Sequence, residues 1–167
     1  MPTCPCSAAV PDSAAPAHPY LPALPGCWEA YGRLLARLDG GVGAPLQVDA
    51  YAAQHAVNPA GDRRQRGSVA VHLVVLCAVA ESDLRPEAAP RFRTEVSRRV
   101  LPRIGGEWPE LEPPAEWGEL SAAAIERLPH DELLGACSRW AGEVWAAWAP
   151  LDTPVRAWTT MALDGGR

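Results

Sequence analysis

A chain of 167 residues, 48% of them apolar, is the size of one domain, and burial rather than disulfide cross-linking can carry its stability. Its net charge of -5 is offset by no basic cluster beyond the short Arg63, Arg64, Arg66 and Arg98, Arg99 groups, too little phosphate-neutralising surface for a nucleic-acid partner. No basic start followed by an apolar segment marks a secretion leader, and no run approaches the ~20 apolar residues that cross a bilayer, so the expectation is a soluble, cytoplasmic chain without a membrane partner.

Residues 1–25 carry seven prolines and no helical or strand period, which predicts an extended arm, ordered only if something pins it. From Cys27 the pattern turns helical: Trp28, Tyr31, Leu34, Leu35 and Leu38 recur at three- and four-residue spacing, and Gly40-Gly41 ends the run. Leu46 to His55 predicts a short second helix with Val48, Tyr51, Ala52 and His55 on one face. A polar loop, "NPAGDRRQRG", leads into "SVAVHLVVLCAVAE", Ser68 to Glu81. That stretch is too long for an ordinary strand and apolar on nearly every side, as expected of a central buried helix. If these two helices form an antiparallel hairpin, His55 comes near His72.

Arg91 to Leu101 predicts a charged, peripheral helix, and "GGEWPELEPPAEWG" an irregular loop packed over the domain. Asp131 to Ala149 is the longest predicted helix, presenting Trp140, Trp145 and Trp148 on a broad apolar surface until Pro150 ends it. Thr153 can cap a last helix with Pro154 at its first position, running through Val155, Trp158 and Met161. Without βαβ alternation, hairpin signals or internal repeats, the expected fold is a compact all-α, single-domain helical bundle of five to seven helices. A proline-rich arm (1–25) precedes the helical domain (26–164).

Five cysteines, an odd number without a secretion leader, point to free thiols or metal ligands rather than structural disulfides. Cys77 and Cys137 lie in apolar helical patterns and read as small core residues. Cys4, Cys6, His18 and Cys27 supply a Cys3His set, the kind that holds a closed, structural zinc, here stapling the arm to the first helix. The alternative is a disordered N-terminus with incidental cysteines.

His72 must satisfy both ring nitrogens or lose about 1–3 kcal/mol, and its helical neighbours are aliphatic. A carbonyl or hydroxyl across the core is the usual partner; His55 on the adjacent helix suggests a shared role. Asp152, at the start of the last helix, would complete a two-histidine, one-carboxylate centre with open positions, suited to zinc-bound hydroxide or to non-haem iron. Asp49 is the competing carboxylate, half a turn off the Tyr51–His55 face and expected to be solvated or structural. In a metal-free version, His55 and His72 do acid–base work on a small molecule oriented by Tyr51, Gln54 and Gln65, with Trp145 and Trp148 as walls unless these simply pack the core. His130, ahead of an acidic helix start, is expected to be exposed. The G-x-S-x-G, P-loop, G-x-G-x-x-G and H-E-x-x-H patterns are absent from the sequence.

At "HPYLPALPGCW", "VDAYAAQH", "SVAVHLVVLC" and "WAGEVWAAWAP" the chain resembles a bacterial family of small helical proteins, one of the domains of unknown function, over nearly its whole length. The resemblance implies a metal-binding protein, whose arm begins with C-x-x-C, with a further histidine before the "VDAY" helix and a His-His pair after the tryptophan-rich helix. Here "CPC" is one residue tighter, Gly43-Ala44-Pro45 stands at the extra histidine and Leu151-Asp152 replaces His-His, while His18, Cys27, His55 and His72 are retained. The leading expectation is a small helical metalloprotein with a histidine-containing core pocket, an enzyme acting on a small-molecule substrate of unidentified reaction class. The alternatives are a non-enzymatic binding or accessory protein with a structural zinc, and the metal-free acid–base enzyme.

Overall fold

Pro25 opens the first helix, where a missing backbone N–H costs nothing, and α1 runs Pro25–Arg37 with Cys27, Ala30, Tyr31 and Leu34 turned into the core. Six more helices follow among the described residues, 2–41, 43–56, 63–151 and 153–164 of this computed structural model. They are α2 (Gln47–Gln54), α3 (Arg63–Glu81), α4 (Ala89–Val100), α5 (Ala122–Ile125), α6 (Leu133–Trp148) and α7 (Thr153–Asp164). The architecture is all-α, as the periodicity predicts, with one isolated bridge, Thr3 to Ala9, inside the arm.

α3 is the hub. Every residue from His72 to Ala78 is buried, because α2, α4, α6 and α7 all pack around it. At about 1.5–3 kcal/mol for each large aliphatic side chain withdrawn from water, Leu73, Val74, Val75 and Leu76 make this one turn the main apolar contribution of the helix. α3 begins five residues ahead of Ser68, so the second half of the expected polar loop is helical. Arg63, Arg64, Gln65 and Arg66 are good helix formers, and Gly67 keeps α3 clear of the Trp108 ring, which a Cβ there would meet at 3.3 Å. α5 was not expected from the periodicity; it is a single turn whose first N–H groups are met by Ser121, with Ala124 N–H donating to Ser121 Oγ at 3.2 Å. The segment between α4 and α5 is irregular and lies over the domain. No helix of the described residues is long and apolar enough to cross a membrane.

The arm is built into the core rather than laid on it: Cys4, Cys6, Val10, Leu21 and Ala23 are buried with the helices. Its first turn is closed by Ser7 N–H donating to Cys4 O at 2.8 Å and Cys4 N–H to Ala8 O at 2.9 Å, with Ser7 in the left-handed region (φ 64°). The arm meets α1 at Gly26, where an added Cβ would stand 2.2 Å from the Pro11 carbonyl oxygen. Only glycine permits that approach, and the next residue is Cys27.

Candidate metal centre

Three features of the chain converge at one end of α2. The Cys4-Pro5-Cys6 turn directs both sulfurs inward, the first turn of α1 brings Cys27, and the residue that caps α2 at its C-terminus is His55. The sulfurs of Cys4, Cys6 and Cys27 and a ring nitrogen of His55 all lie within 4.8 Å of one another, and all four side chains are buried. Among the described residues this is the one group of three or more potential ligands so gathered.

Distances within the group separate the chemical options. Cys6 Sγ and Cys27 Sγ are 3.8 Å apart and all five cysteines are free. A disulfide needs about 2.05 Å. The edge of a tetrahedron around an ion with metal–sulfur bonds of about 2.3 Å is about 3.8 Å. Cys27 Sγ stands 3.3 Å from His55 Nε2, close to the corresponding sulfur–nitrogen edge. The imidazole is already turned for ligation: Nδ1–H donates to the Tyr51 carbonyl at 2.7 Å, which leaves Nε2 facing the sulfurs. Cys4 Sγ accepts the Leu24 backbone N–H at 3.4 Å, and the Trp117 indole N–H donates to Pro5 O at 3.0 Å, clamping the turn between the two cysteines.

The electrostatics favour negative charge on one sulfur, that of Cys4. Hydrogen bonds from Cys27 and Cys6 push the Cys4 thiol far below its ordinary value, while Cys27, on the donating side, is pushed far up. Burial works against a charged His55, but the sulfurs of Cys4 and Cys6 outweigh it and raise the imidazole to about 9. The Tyr51 hydroxyl, buried beside the cluster, has no hydrogen-bond partner among the described residues; an orphan of this kind costs about 1–3 kcal/mol unless something accepts its proton. Burial, then the charge of the neighbouring sulfurs, raises its ionisation far above the usual phenol range. Donor set, spacing, burial and ring orientation together fit a tetrahedral cation.

His18, expected as the fourth ligand, is placed elsewhere. Its Nδ1 accepts the Leu21 N–H at 2.9 Å, and its ring stands edge-on to Trp28 at 4.5 Å; burial holds its pKa below the ordinary value. His55 takes the place in the cluster that the sequence assigned to His18, whose ring centroid stands 6.4 Å from that of Tyr51. Asp152 lies outside the described residues.

His72 has partners of its own. Its Nδ1 is 2.7 Å from Asp49 Oδ1, and the same carboxylate takes a fork from Arg93, whose Nε donates to Oδ1 at 2.8 Å and whose Nη2 donates to Oδ2. Arg93 Nη2 also donates to Pro45 O at 3.0 Å. Asp49 is therefore not solvated: it is fully buried, because α2 is covered on every side and a carboxylate there needs its charge met. Sequence reasoning missed Arg93, one of 15 basic residues with no local pattern to single it out.

The residues expected to bind a ligand are held by the fold. Gln54 donates to Leu120 O at 2.8 Å and accepts the Trp140 indole N–H at 2.9 Å. Gln65 donates to Tyr20 O at 3.0 Å, Trp148 to Ala53 O at 3.2 Å, and Trp145 to Glu81 Oε1 at 3.0 Å. Tyr51 packs between Tyr31 and His55 at 4.1 and 4.2 Å between ring centroids. Cys77 and Cys137 are core residues and His130 is exposed, as the sequence predicts.

No curated protein and no solved structure matches this chain. A family model does, from residue 1 to residue 149, a span that includes the arm, all four clustered ligands and His72, and the chain belongs to that family of unknown function, DUF5946.

Proposed function

We propose that this is a zinc protein in which Cys4, Cys6, Cys27 and His55 hold one structural ion that fastens the arm to α1 and α2. The observation that carries the reading is the closure of three sulfurs and one imidazole nitrogen within 4.8 Å in a buried setting. Three thiolates and an imidazole are soft to borderline donors, the preference of zinc rather than of magnesium or calcium. Four protein ligands leave no position for a substrate, so the ion supplies cross-linking rather than chemistry. Free thiols suit a reducing, cytoplasmic setting.

The test is the metal content of protein prepared without a histidine tag, by elemental mass spectrometry. Wild type and His72→Ala are expected to carry one zinc per chain, and Cys4→Ser/Cys6→Ser none. Wild type without metal, or metal that leaves with His72 and stays with the cysteines replaced, would overturn the assignment.

A second reading, acid–base action on a small molecule, draws on one observation. Asp49 holds His72 Nδ1–H at 2.7 Å, the arrangement that keeps Nε2 as a proton acceptor. It predicts that His72→Ala abolishes turnover of an identified substrate with zinc content unchanged; equal turnover would sink it.

A further inference from the structure

Two tyrosines stack beside the cluster, Tyr31 on Tyr51, 4.1 Å between centroids and 24° between planes. Their hydroxyls have different fates. Tyr31 donates to Gln47 Oε1 at 2.8 Å, whereas the Tyr51 hydroxyl is buried with no partner among the described residues. Its ring lies on that of His55, whose Nε2 stands 3.3 Å from Cys27 Sγ, and the sulfurs of Cys27, Cys4 and Cys6 add to the effect of burial in holding the proton on the hydroxyl. The ring has little freedom to take the hydroxyl elsewhere, being packed on His55 at 4.2 Å and against Trp28 at 5.8 Å, while its own backbone carbonyl holds the His55 ring. A neutral thiol is a weak acceptor. A thiolate bound to a cation is a strong one, and a phenol O–H is the donor that suits it.

We infer that the Tyr51 hydroxyl is the hydrogen-bond donor to the Cys27 thiolate of the metal centre and positions that sulfur, so that Tyr51 sets the affinity of the site without touching the ion. The inference rests on the metal reading above. It accounts for a buried hydroxyl that has no other acceptor among the described residues. It also gives the His55–Tyr51 pair a joint task, one residue ligating through its ring and the other supporting both that ring and a sulfur.

Cobalt(II) is the probe, because its sulfur-to-metal charge-transfer band reports electron density on the thiolates. Tyr51→Phe keeps the ring and removes the donor, so the band is expected to move to lower energy and cobalt affinity to fall about tenfold or more. Tyr31→Phe, which removes the stacked neighbour's hydroxyl, is expected to leave the band in place. An unmoved band with affinity within about twofold in Tyr51→Phe, or an equal shift in both variants, would overturn the inference while leaving the metal reading intact. Failure of the wild type to take up cobalt would overturn the metal reading first and this one with it. Should Tyr51→Phe fail to fold, the wild type loaded with cadmium-113 decides: a hydroxyl proton coupled to the metal through sulfur supports the bond, and an uncoupled one refutes it.

Discussion

His55 and His72 are both buried, both anchored through Nδ1 to an oxygen at 2.7 Å, and both in contact with the short helix α2, yet they end in different chemistry. His55 is anchored by a neutral backbone carbonyl, and its second nitrogen meets three sulfurs. His72 is anchored by a carboxylate that Arg93 already neutralises. The anchor fixes the orientation of each ring; what stands opposite decides the role. A carbonyl anchor turns Nε2 of His55 toward the sulfurs, where it can ligate, whereas a carboxylate anchor ties the His72 ring into the Asp49–Arg93 network across α2, α3 and α4.

The sharpest way to break this comparison is to remove each ring and read stability with and without a chelator. For His55→Ala the site loses a ligand. Zinc bound by Cys and His ligands is worth on the order of 10 kcal/mol, against a total domain stability of about 5–15 kcal/mol, so the expected loss exceeds about 3 kcal/mol in urea unfolding. A chelator should then have no further effect on the variant but should bring the wild type down to it. His72→Ala is expected to lose about 1–3 kcal/mol and to remain chelator-sensitive. If both variants respond to the chelator alike, the two imidazoles do not have separate roles.

Next in size is the carboxylate. Asp49→Asn removes the charge between Arg93 and His72, and breaking a buried ion pair from one side costs about 3–5 kcal/mol, here reduced because the Arg93 side chain is 20% exposed. Unfolding in urea should show a loss of about 2–4 kcal/mol with zinc content unchanged. Asp49 and His55 stand on the same eight-residue helix, so this is also the test of independence. Zinc lost along with Asp49 would mean that α2 couples the two regions into one unit.

Fold class was legible because α1 and α6 carry apolar patterns bounded by proline or glycine and α3 an apolar run too long for a strand, and these depend only on local order. The cluster was legible in its cysteines but not in its histidine. Cys4, Cys6 and His18 are close in sequence, and proximity in sequence favoured His18; His55 is 28 residues beyond Cys27 and joins only when α2 packs against the arm. The Asp49–Arg93 fork spans 44 residues between α2 and α4 and left one trace, a carboxylate in a helix otherwise rich in alanine. α5 was missed because a four-residue helix is too short to show a period.

The same fork occurs at the surface, and there it should matter least. Arg156 Nε and Nη2 donate to Glu81 Oε2 and Oε1 at 2.7 and 2.8 Å, joining α7 to the end of α3, and the Trp145 indole N–H shares Oε1. Arg156, and to a lesser degree Trp145, hold the Glu81 carboxyl below its ordinary value. A depressed carboxyl stabilises the fold above its unfolded-state pKa, and that contribution is lost as pH falls through the lower native value. With 46% and 35% of the two side chains exposed, solvent screens most of the attraction. Glu81→Gln is therefore expected to cost no more than about 1 kcal/mol at neutral pH, to shrink toward zero in acid and to weaken with added salt. A loss matching that of Asp49→Asn would show that geometry, and not burial, sets the value of an arginine–carboxylate fork in this fold.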